Sequence, residues 1–165
     1  MSSLEIVLPR RLRERLEEEA ERVGLSAEEF VLKVVAERLN REVDPPEVAE
    51  VYVKLAEKYL REAEDLLAGG DFVQASEKLW GAAALMVKAV AAARGLLLRS
   101  HGDLFKFVKS LGDETGDAEL RRLFAVASAL HQNFYESWLP PEVVKEYAQD
   151  VKQLIQKLKD LLRPP

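Results

Sequence analysis

Cysteine is absent from this 165-residue sequence, which excludes disulfide bonds and any reaction that needs a thiol. Histidine occurs only at positions 101 and 131, so a metal site would need both imidazoles together with carboxylates, and no metal or other cofactor is expected. No apolar run reaches the roughly 18 residues that can span a bilayer. The first residues also lack the basic and apolar segments of a signal peptide. We therefore expect a soluble cytoplasmic protein with no membrane partner.

Neither part of the chain carries the excess of positive charge that broad nucleic-acid binding requires. The net charge is −5, with eight Lys and Arg against ten Asp and Glu in residues 1–42, and sixteen against nineteen in residues 43–165. Because affinity for phosphate backbones rests on a cationic surface, DNA is not an expected partner. Asparagine occurs only at Asn40 and Asn133, a scarcity that resembles the composition of thermophilic proteins.

Residues 1–42 predict one short strand followed by two helices. Residues 4–8 alternate with the period of a strand and are followed by a proline. Residues 10–23 carry apolar side chains at helical spacing, up to a glycine that ends the helix. Ser26 and Glu29 form a capping box, which opens the second helix.

This order of elements is similar to the ribbon-helix-helix family, in which two chains pair their strands and interlock their helices. If the alternate apolar side chains of the strand face the core, Ser3, Glu5 and Val7 point outward. In DNA-binding members these outward positions enter the major groove, where a carboxylate repels phosphate and a valine reads no base edge well. We therefore interpret residues 1–42 as a dimerisation segment, with a DNA-binding regulator as the less favoured alternative. A helical hairpin packed on its own bundle fits the pattern nearly as well.

Residues 43–165 predict an antiparallel helix bundle. Asp44, Pro45 and Pro46 cannot continue the preceding helix, and they set the start of the next one. The following helix is crowded with alanine, and small side chains let neighbouring helices approach, so it should be the central element. We expect residues 112–116 to form a flexible surface loop. Short connections should make successive long helices antiparallel neighbours.

Three segments of this second part are distinctive: EKLWGAAALMVKAV, SHGDLFKFVKSL and LHQNFYESWL. Over roughly residues 44–162 the chain resembles the archaeal PaREP family, the paralogous-repeat proteins of hyperthermophilic crenarchaea, which look like relatives of HEPN domains. The resemblance implies an all-α fold, with a HEPN-like antiparallel bundle. It also implies a homodimer that binds a nucleotide or RNA, and some HEPN domains are ribonucleases.

The nuclease subset of HEPN domains carries an Arg, then four to six residues, then a His. The His moves a proton at the 2′-hydroxyl or the leaving group, and the Arg stabilises charge on the phosphate. Arg94 and His101 meet this spacing, but they lie between the second and third helices of the bundle instead of at the end of the third. Arg122 and His131 lie at that later place, where eight residues separate them, which is too many. Arg94 and His101 are thus the catalytic candidates of an alternative ribonuclease function.

A polar ligand-binding site is predicted where the two histidines meet. His131 and Tyr135 are four residues apart on one helix and share a face, and His101 opens the preceding helix. The predicted site residues are His101, Asp103, His131, Tyr135 and Glu136.

Structural explanations of the same residues stay open. His101 and Asp103 could belong to a helix cap that follows Ser100, and His131 and Tyr135 could be a buried hydrogen-bonded pair. A metal site made of both histidines and Glu136 is the least favoured interpretation. Trp80 and Trp138 are expected to be core or interface anchors instead of platforms for bases.

The sequence therefore predicts a homodimeric, non-catalytic interaction module that binds a nucleotide or RNA. A metal-independent ribonuclease, acting as a toxin or defence component, is the first alternative. A DNA-binding regulator that acts through residues 1–42 is the second.

Overall fold

The computed structural model describes residues 3–163 and is all-helical over that range. Its seven helices are α1 (Arg10–Arg22), α2 (Ala27–Arg38), α3 (Pro45–Ala68), α4 (Phe72–Ala93), α5 (His101–Thr115), α6 (Glu119–Glu136) and α7 (Pro141–Asp160). The chain divides into two compact units, Met1–Val43 and Asp44–Pro165, which we call the head and the bundle. None of the helices within residues 3–163 is long and apolar enough to cross a membrane.

The head contains α1 and α2, which pack against each other. Gly24 stands between them with a φ of +72°, a left-handed conformation that glycine adopts without steric cost. Ser26 and Glu29 form the predicted capping box: the Ser26 hydroxyl accepts from the Glu29 amide at 3.2 Å, and the Glu29 carboxylate accepts from the Ser26 amide at 2.8 Å. This reciprocal pair satisfies two amide groups that the first turn of α2 would otherwise leave without partners.

The predicted strand at residues 4–8 is wrong for the single chain, because the described residues contain no strand. Leu4 and Val7 are 85% and 91% exposed, and the first helix begins only at Arg10, after Pro9. The physical reason is that a strand needs a hydrogen-bonding partner for its backbone, and one copy of the head supplies only one such segment.

The bundle is built around α4, which packs against α3, α5, α6 and α7. The alanines of its middle are buried, as the sequence predicted. Gly81 marks the closest approach: a Cβ atom there would lie 2.7 Å from the Tyr59 ring on α3. Lys78 also contacts Glu62 across the same pair of helices at 2.7 Å. From Tyr59 to Glu62 the residue number rises along α3, while that of the facing residue on α4 falls from 81 to 78. The two helices are therefore antiparallel.

The last helix of the bundle, α7, runs antiparallel to α3 and is tied to it by ion pairs. Lys152 contacts Glu64 at 2.7 Å, and Lys159 contacts Glu57 at 2.8 Å. The apolar face of α7 is buried, and it packs against α4 and α6. Such half-exposed pairs are individually weak, so the buried apolar face contributes most of the stability with which α7 packs on the bundle.

The prediction for the end of α5 is wrong. Residues 112–115 belong to this helix, which ends only at Thr115, and the predicted flexible loop is limited to the turn at Gly116, whose φ is +71°. Gly112 is buried because the following turn packs against it; a Cβ atom there would lie 3.2 Å from the carbonyl oxygen of Asp117. The absence of a side chain therefore serves close packing here instead of loop flexibility.

The helix α5 runs parallel to α4, a direction that the expectation for successive long helices did not cover. His101 at the start of α5 lies beside Trp80, and Glu114 near its end pairs with Arg94 at the end of α4. The connection at residues 94–100 is long enough to return the chain along α4, since an extended residue spans about 3.3 Å. This return brings His101 to the level of Trp80.

Candidate functional site

Seven aromatic and imidazole rings from α4, α5 and α6 lie in continuous contact on the bundle, and we call them the ring cluster. On α5, His101 and Phe105 are one turn apart, and on α6 His131 and Tyr135 are one turn apart. The members of the ring cluster are Trp80, His101, Phe105, Phe124, His131, Phe134 and Tyr135.

The two imidazoles stand at the centre of the ring cluster. The ring centroids of His101 and His131 are 5.1 Å apart, and the rings meet edge to face. Trp80 lies 5.3 Å from His101 and stacks on His131 at 5.0 Å. Tyr135 meets the His131 ring at 5.3 Å. The structure thus brings together three of the residues predicted for the site, and Trp80 joins them.

Exposure divides the ring cluster into a floor and a rim. Trp80 is 6% exposed and forms the floor, in agreement with its prediction as a core residue. The His131 side chain is 22% exposed. Tyr135 and Phe105 are 61% and 43% exposed and form the rim. The imidazoles and the rim rings are therefore accessible to solvent.

Glu77 holds the His131 ring in place. Its carboxylate lies 2.9 Å from Nδ1 of His131, and both side chains are about one-third exposed or less. An ionised carboxylate can only accept, so the proton of a neutral His131 lies on Nδ1 and Nε2 is left as an acceptor. Glu77 was missed from the sequence, because no local pattern pairs residues that are 54 positions apart.

His101 favours its neutral form. Partial burial lowers its pKa below the ordinary value of 6.5. A proton on the neighbouring His131 ring, when present, and the charge of Lys88 lower the pKa further. The carboxylate of Glu77 acts in the opposite direction but does not offset these effects. At neutral pH the ring cluster therefore presents His101 as an uncharged, stackable ring.

Asp103 forms hydrogen bonds that cap the start of α5. Its carboxylate accepts from the Arg99 amide at 2.9 Å, and its own amide donates to the Ser100 hydroxyl at 3.1 Å. The first of these bonds is the main reason that the pKa of Asp103 lies below its ordinary value. Asp103 is therefore used in the helix cap, the structural alternative considered above.

Glu136 is the last residue of α6 and is exposed. Within residues 3–163, no three His, Asp or Glu side chains converge closely enough to hold a metal ion. The set of His101, His131 and Glu136 is thus not brought together as a metal site.

Arg94 forms an ion pair with the carboxylate of Glu114. Its guanidinium contacts Glu114 at 2.6 Å, which joins the end of α4 to the end of α5. This pairing gives Arg94 a structural role, and the geometry supplies no contact between Arg94 and the imidazole of His101.

Asn133 fixes the end of α6 beneath the ring cluster and was not predicted from the sequence. It is 1% exposed, and its amide nitrogen donates to the Ser76 hydroxyl at 2.9 Å. Its carbonyl oxygen accepts from the amides of Trp138 and Leu139 at 2.9 and 2.8 Å. The scarcity of asparagine in the chain was a usable signal, since a residue type that is otherwise avoided is kept here for its hydrogen bonds.

Comparison with known proteins agrees with the segments singled out in the sequence. The model of the archaeal PaREP1/PaREP8 family matches residues 51–155. A protein from Sulfolobus solfataricus of known crystal structure is 32% identical, with a TM-score of 0.60; the match covers 66% of this chain and 96% of that one. No curated protein matches this chain. The chain belongs to the archaeal PaREP1/PaREP8 family.

Proposed function

We propose that this protein is a homodimeric, non-catalytic interaction module. In this proposal the head joins two copies, and the HEPN-like bundle offers a site for a nucleotide or RNA. The observation that carries the proposal is the apolar surface of the head. Within residues 3–163, most of the exposed large hydrophobic residues belong to the head: Leu4, Ile6, Val7, Leu12, Val23, Val34, Val35 and Leu39.

A second copy of the head would cover this surface. A segment of about 40 residues buries too little apolar area to be stable by itself, and exposed apolar patches are unfavourable in water. A second copy also supplies the partner that residues 4–8 need to form a strand. The similarity to ribbon-helix-helix proteins, which pair their strands and interlock their helices, supports the same arrangement.

Light scattering coupled to size-exclusion chromatography tests the dimer. The full chain should elute as a dimer, whereas residues 44–165 should be monomeric. Val35→Glu with Leu39→Glu places two charges on one face of α2 and should give monomers of the full chain. Lys33→Glu on the same helix is the matched control, since Lys33 is exposed and charged. A monomeric wild-type chain would contradict the proposal.

The ring cluster supports the nucleotide or RNA part of the proposal. Bases stack on aromatic side chains with little regard to sequence, and the rim rings are exposed enough for such stacking. The net charge of −5 argues against a ligand held mainly through its phosphates. A titration of the full chain with adenosine monophosphate and with a short RNA, followed by tryptophan fluorescence, tests this part.

The two alternatives have less support. The ribonuclease hypothesis requires Arg94 to act beside His101, but Arg94 forms an ion pair with Glu114. The DNA-binding regulator required a cationic head, and residues 1–42 carry more Asp and Glu than Lys and Arg. The interaction module needs neither condition.

A further inference from the structure

We infer that the ring cluster receives the base of a bound nucleotide, not its phosphate, and that Glu77 is the residue that prepares it for this. The inference rests on the proposed nucleotide or RNA site and specifies which part of the ligand enters it. It also adds a positioning residue that acts through His131 instead of touching the ligand.

Glu77 sets the hydrogen-bonding character of His131. Because Glu77 accepts the Nδ1 proton at 2.9 Å, a neutral His131 offers a bare Nε2 to any ligand. A bare ring nitrogen binds a donor, and the common bases carry N–H groups on their pairing edges. A phosphate carries only acceptor oxygens when fully ionised, so it cannot make this bond.

The charge of Glu77 also disfavours a phosphate beside His131. The Glu77 carboxylate is 34% exposed beside His131, so a phosphate at this place would meet a like charge. The positive charge of Lys88 lowers the pKa of His101, whereas the negative charge of Glu77 raises it. A neutral base does not experience the repulsion from Glu77.

The rings of the cluster lie close together. Tyr135 contacts His131, Phe105 contacts Phe124 and lies one turn from His101, and Trp80 contacts both imidazoles. This arrangement of exposed flat rings suits a flat ligand, and stacking of one base on an aromatic side chain typically changes affinity by about tenfold or more. Free nucleotides and single-stranded RNA share this chemistry.

The experiment compares four probes by tryptophan fluorescence: adenosine, adenosine monophosphate, ribose 5-phosphate and a short adenine-containing RNA. The full chain with Trp138→Phe is used, so that Trp80 is the only reporter. Adenosine and adenosine monophosphate should bind within about threefold of each other, and ribose 5-phosphate should not bind. The ratio of affinities for the RNA and the free nucleotide then distinguishes the two sources of the base.

Variants separate the role of Glu77 from a structural effect. Glu77→Ala should weaken adenosine binding by about tenfold, and Tyr135→Ala, at an exposed ring, should weaken it similarly. Nitrogen NMR of the imidazoles should show the proton of His131 on Nδ1 in the wild type and shared between both nitrogens in Glu77→Ala. Glu142→Ala, at an exposed carboxylate at the start of α7, is the matched control and should change neither readout.

Two results of the four-probe titration would contradict base binding. If adenosine monophosphate and ribose 5-phosphate bind equally and adenosine does not, the phosphate occupies the site, and this inference is overturned while nucleotide binding stands. If none of the four probes binds, the proposed nucleotide or RNA site fails as well. Replacing adenosine by N6,N6-dimethyladenosine, which lacks the exocyclic N–H, should weaken binding severalfold; equal affinity would overturn the role assigned to His131.

Discussion

Nδ1 of His131 lies 2.9 Å from the carboxylate of Glu77, although the two residues are 54 positions apart in the sequence. The contact joins the first turns of α4 to the end of α6, and it brings together two of the segments that mark the family. One segment supplies the carboxylate and Trp80, and the other supplies the imidazole and Tyr135. The distinctive residues of these segments thus have a shared location in the fold, where the third segment adds His101.

The stability of the bundle should depend on the protonation of His101. Its pKa is lowered in the folded state, so the neutral ring favours folding. This contribution is present in full above the ordinary pKa of 6.5, and it is lost as the pH falls from there through the lower folded-state pKa. Urea unfolding of the wild type should therefore show a lower free energy of unfolding at about pH 5 than at about pH 7.5.

His101→Gln is the comparison that isolates this effect, because Glu77, His131 and Lys88 are unchanged in the variant. The decrease in stability between the two pH values should be smaller in His101→Gln than in the wild type. Equal decreases in the two proteins would show that His101 does not titrate against folding.

Asn133→Ala should strongly destabilise the bundle. The substitution removes three hydrogen bonds. It leaves the buried Ser76 hydroxyl and the partly buried amides of Trp138 and Leu139 without this partner. We expect a loss of about 2–4 kcal/mol in the free energy of unfolding. The neighbouring Gln132 is exposed, and Gln132→Ala should change stability by less than about 0.5 kcal/mol. Chemical denaturation of both variants provides the measurement, and similar values for the two would contradict the assigned role.

Gly81→Ala should destabilise the contact between α3 and α4. Alanine has the higher helix propensity, but its Cβ atom would lie 2.7 Å from the Tyr59 ring. The overlap should cost about 1–3 kcal/mol and outweigh the gain in propensity. A Cβ atom at Gly102 in α5 would make only an ordinary contact, 3.6 Å from the Ser100 hydroxyl oxygen. Gly102→Ala should therefore be neutral or stabilising by up to about 1 kcal/mol. Thermal or urea unfolding should give opposite signs, and a stabilising Gly81→Ala would refute the close packing.

Arg94→Ala should change the free energy of unfolding only slightly, and neither the variant nor the wild type should cleave RNA. The ion pair with Glu114 is 37% and 56% exposed on its two sides, so its loss should cost no more than about 1 kcal/mol. Incubation of a mixed RNA pool with the wild type should leave the pool intact. Cleavage by the wild type that disappears in both Arg94→Ala and His101→Ala would establish the ribonuclease and overturn the non-catalytic proposal.

Local chemistry explains which elements could be predicted. Some features act through their own neighbours or through side-chain size, so their effects are visible in the sequence. They are Ser26 with Glu29, the two prolines that open α3, and the alanines of α4. The loop expected at residues 112–116 was wrong, and the parallel direction of α5 was not predicted, because both depend on packing. Gly112 serves a close contact with the following turn, and the connection at residues 94–100 returns the chain along α4.

The sequence by itself determined that the chain is helical, where most of its helices begin and end, and that His131 and Tyr135 share one helix face. These properties follow from periodicity, capping and side-chain size, which act over a few residues. Only the tertiary structure decided that Glu77 orients His131, that Trp80 underlies both imidazoles and that Arg94 faces Glu114. Those contacts join positions on different helices, and they exist only because the packing of α5 and α6 on α4 places these side chains together.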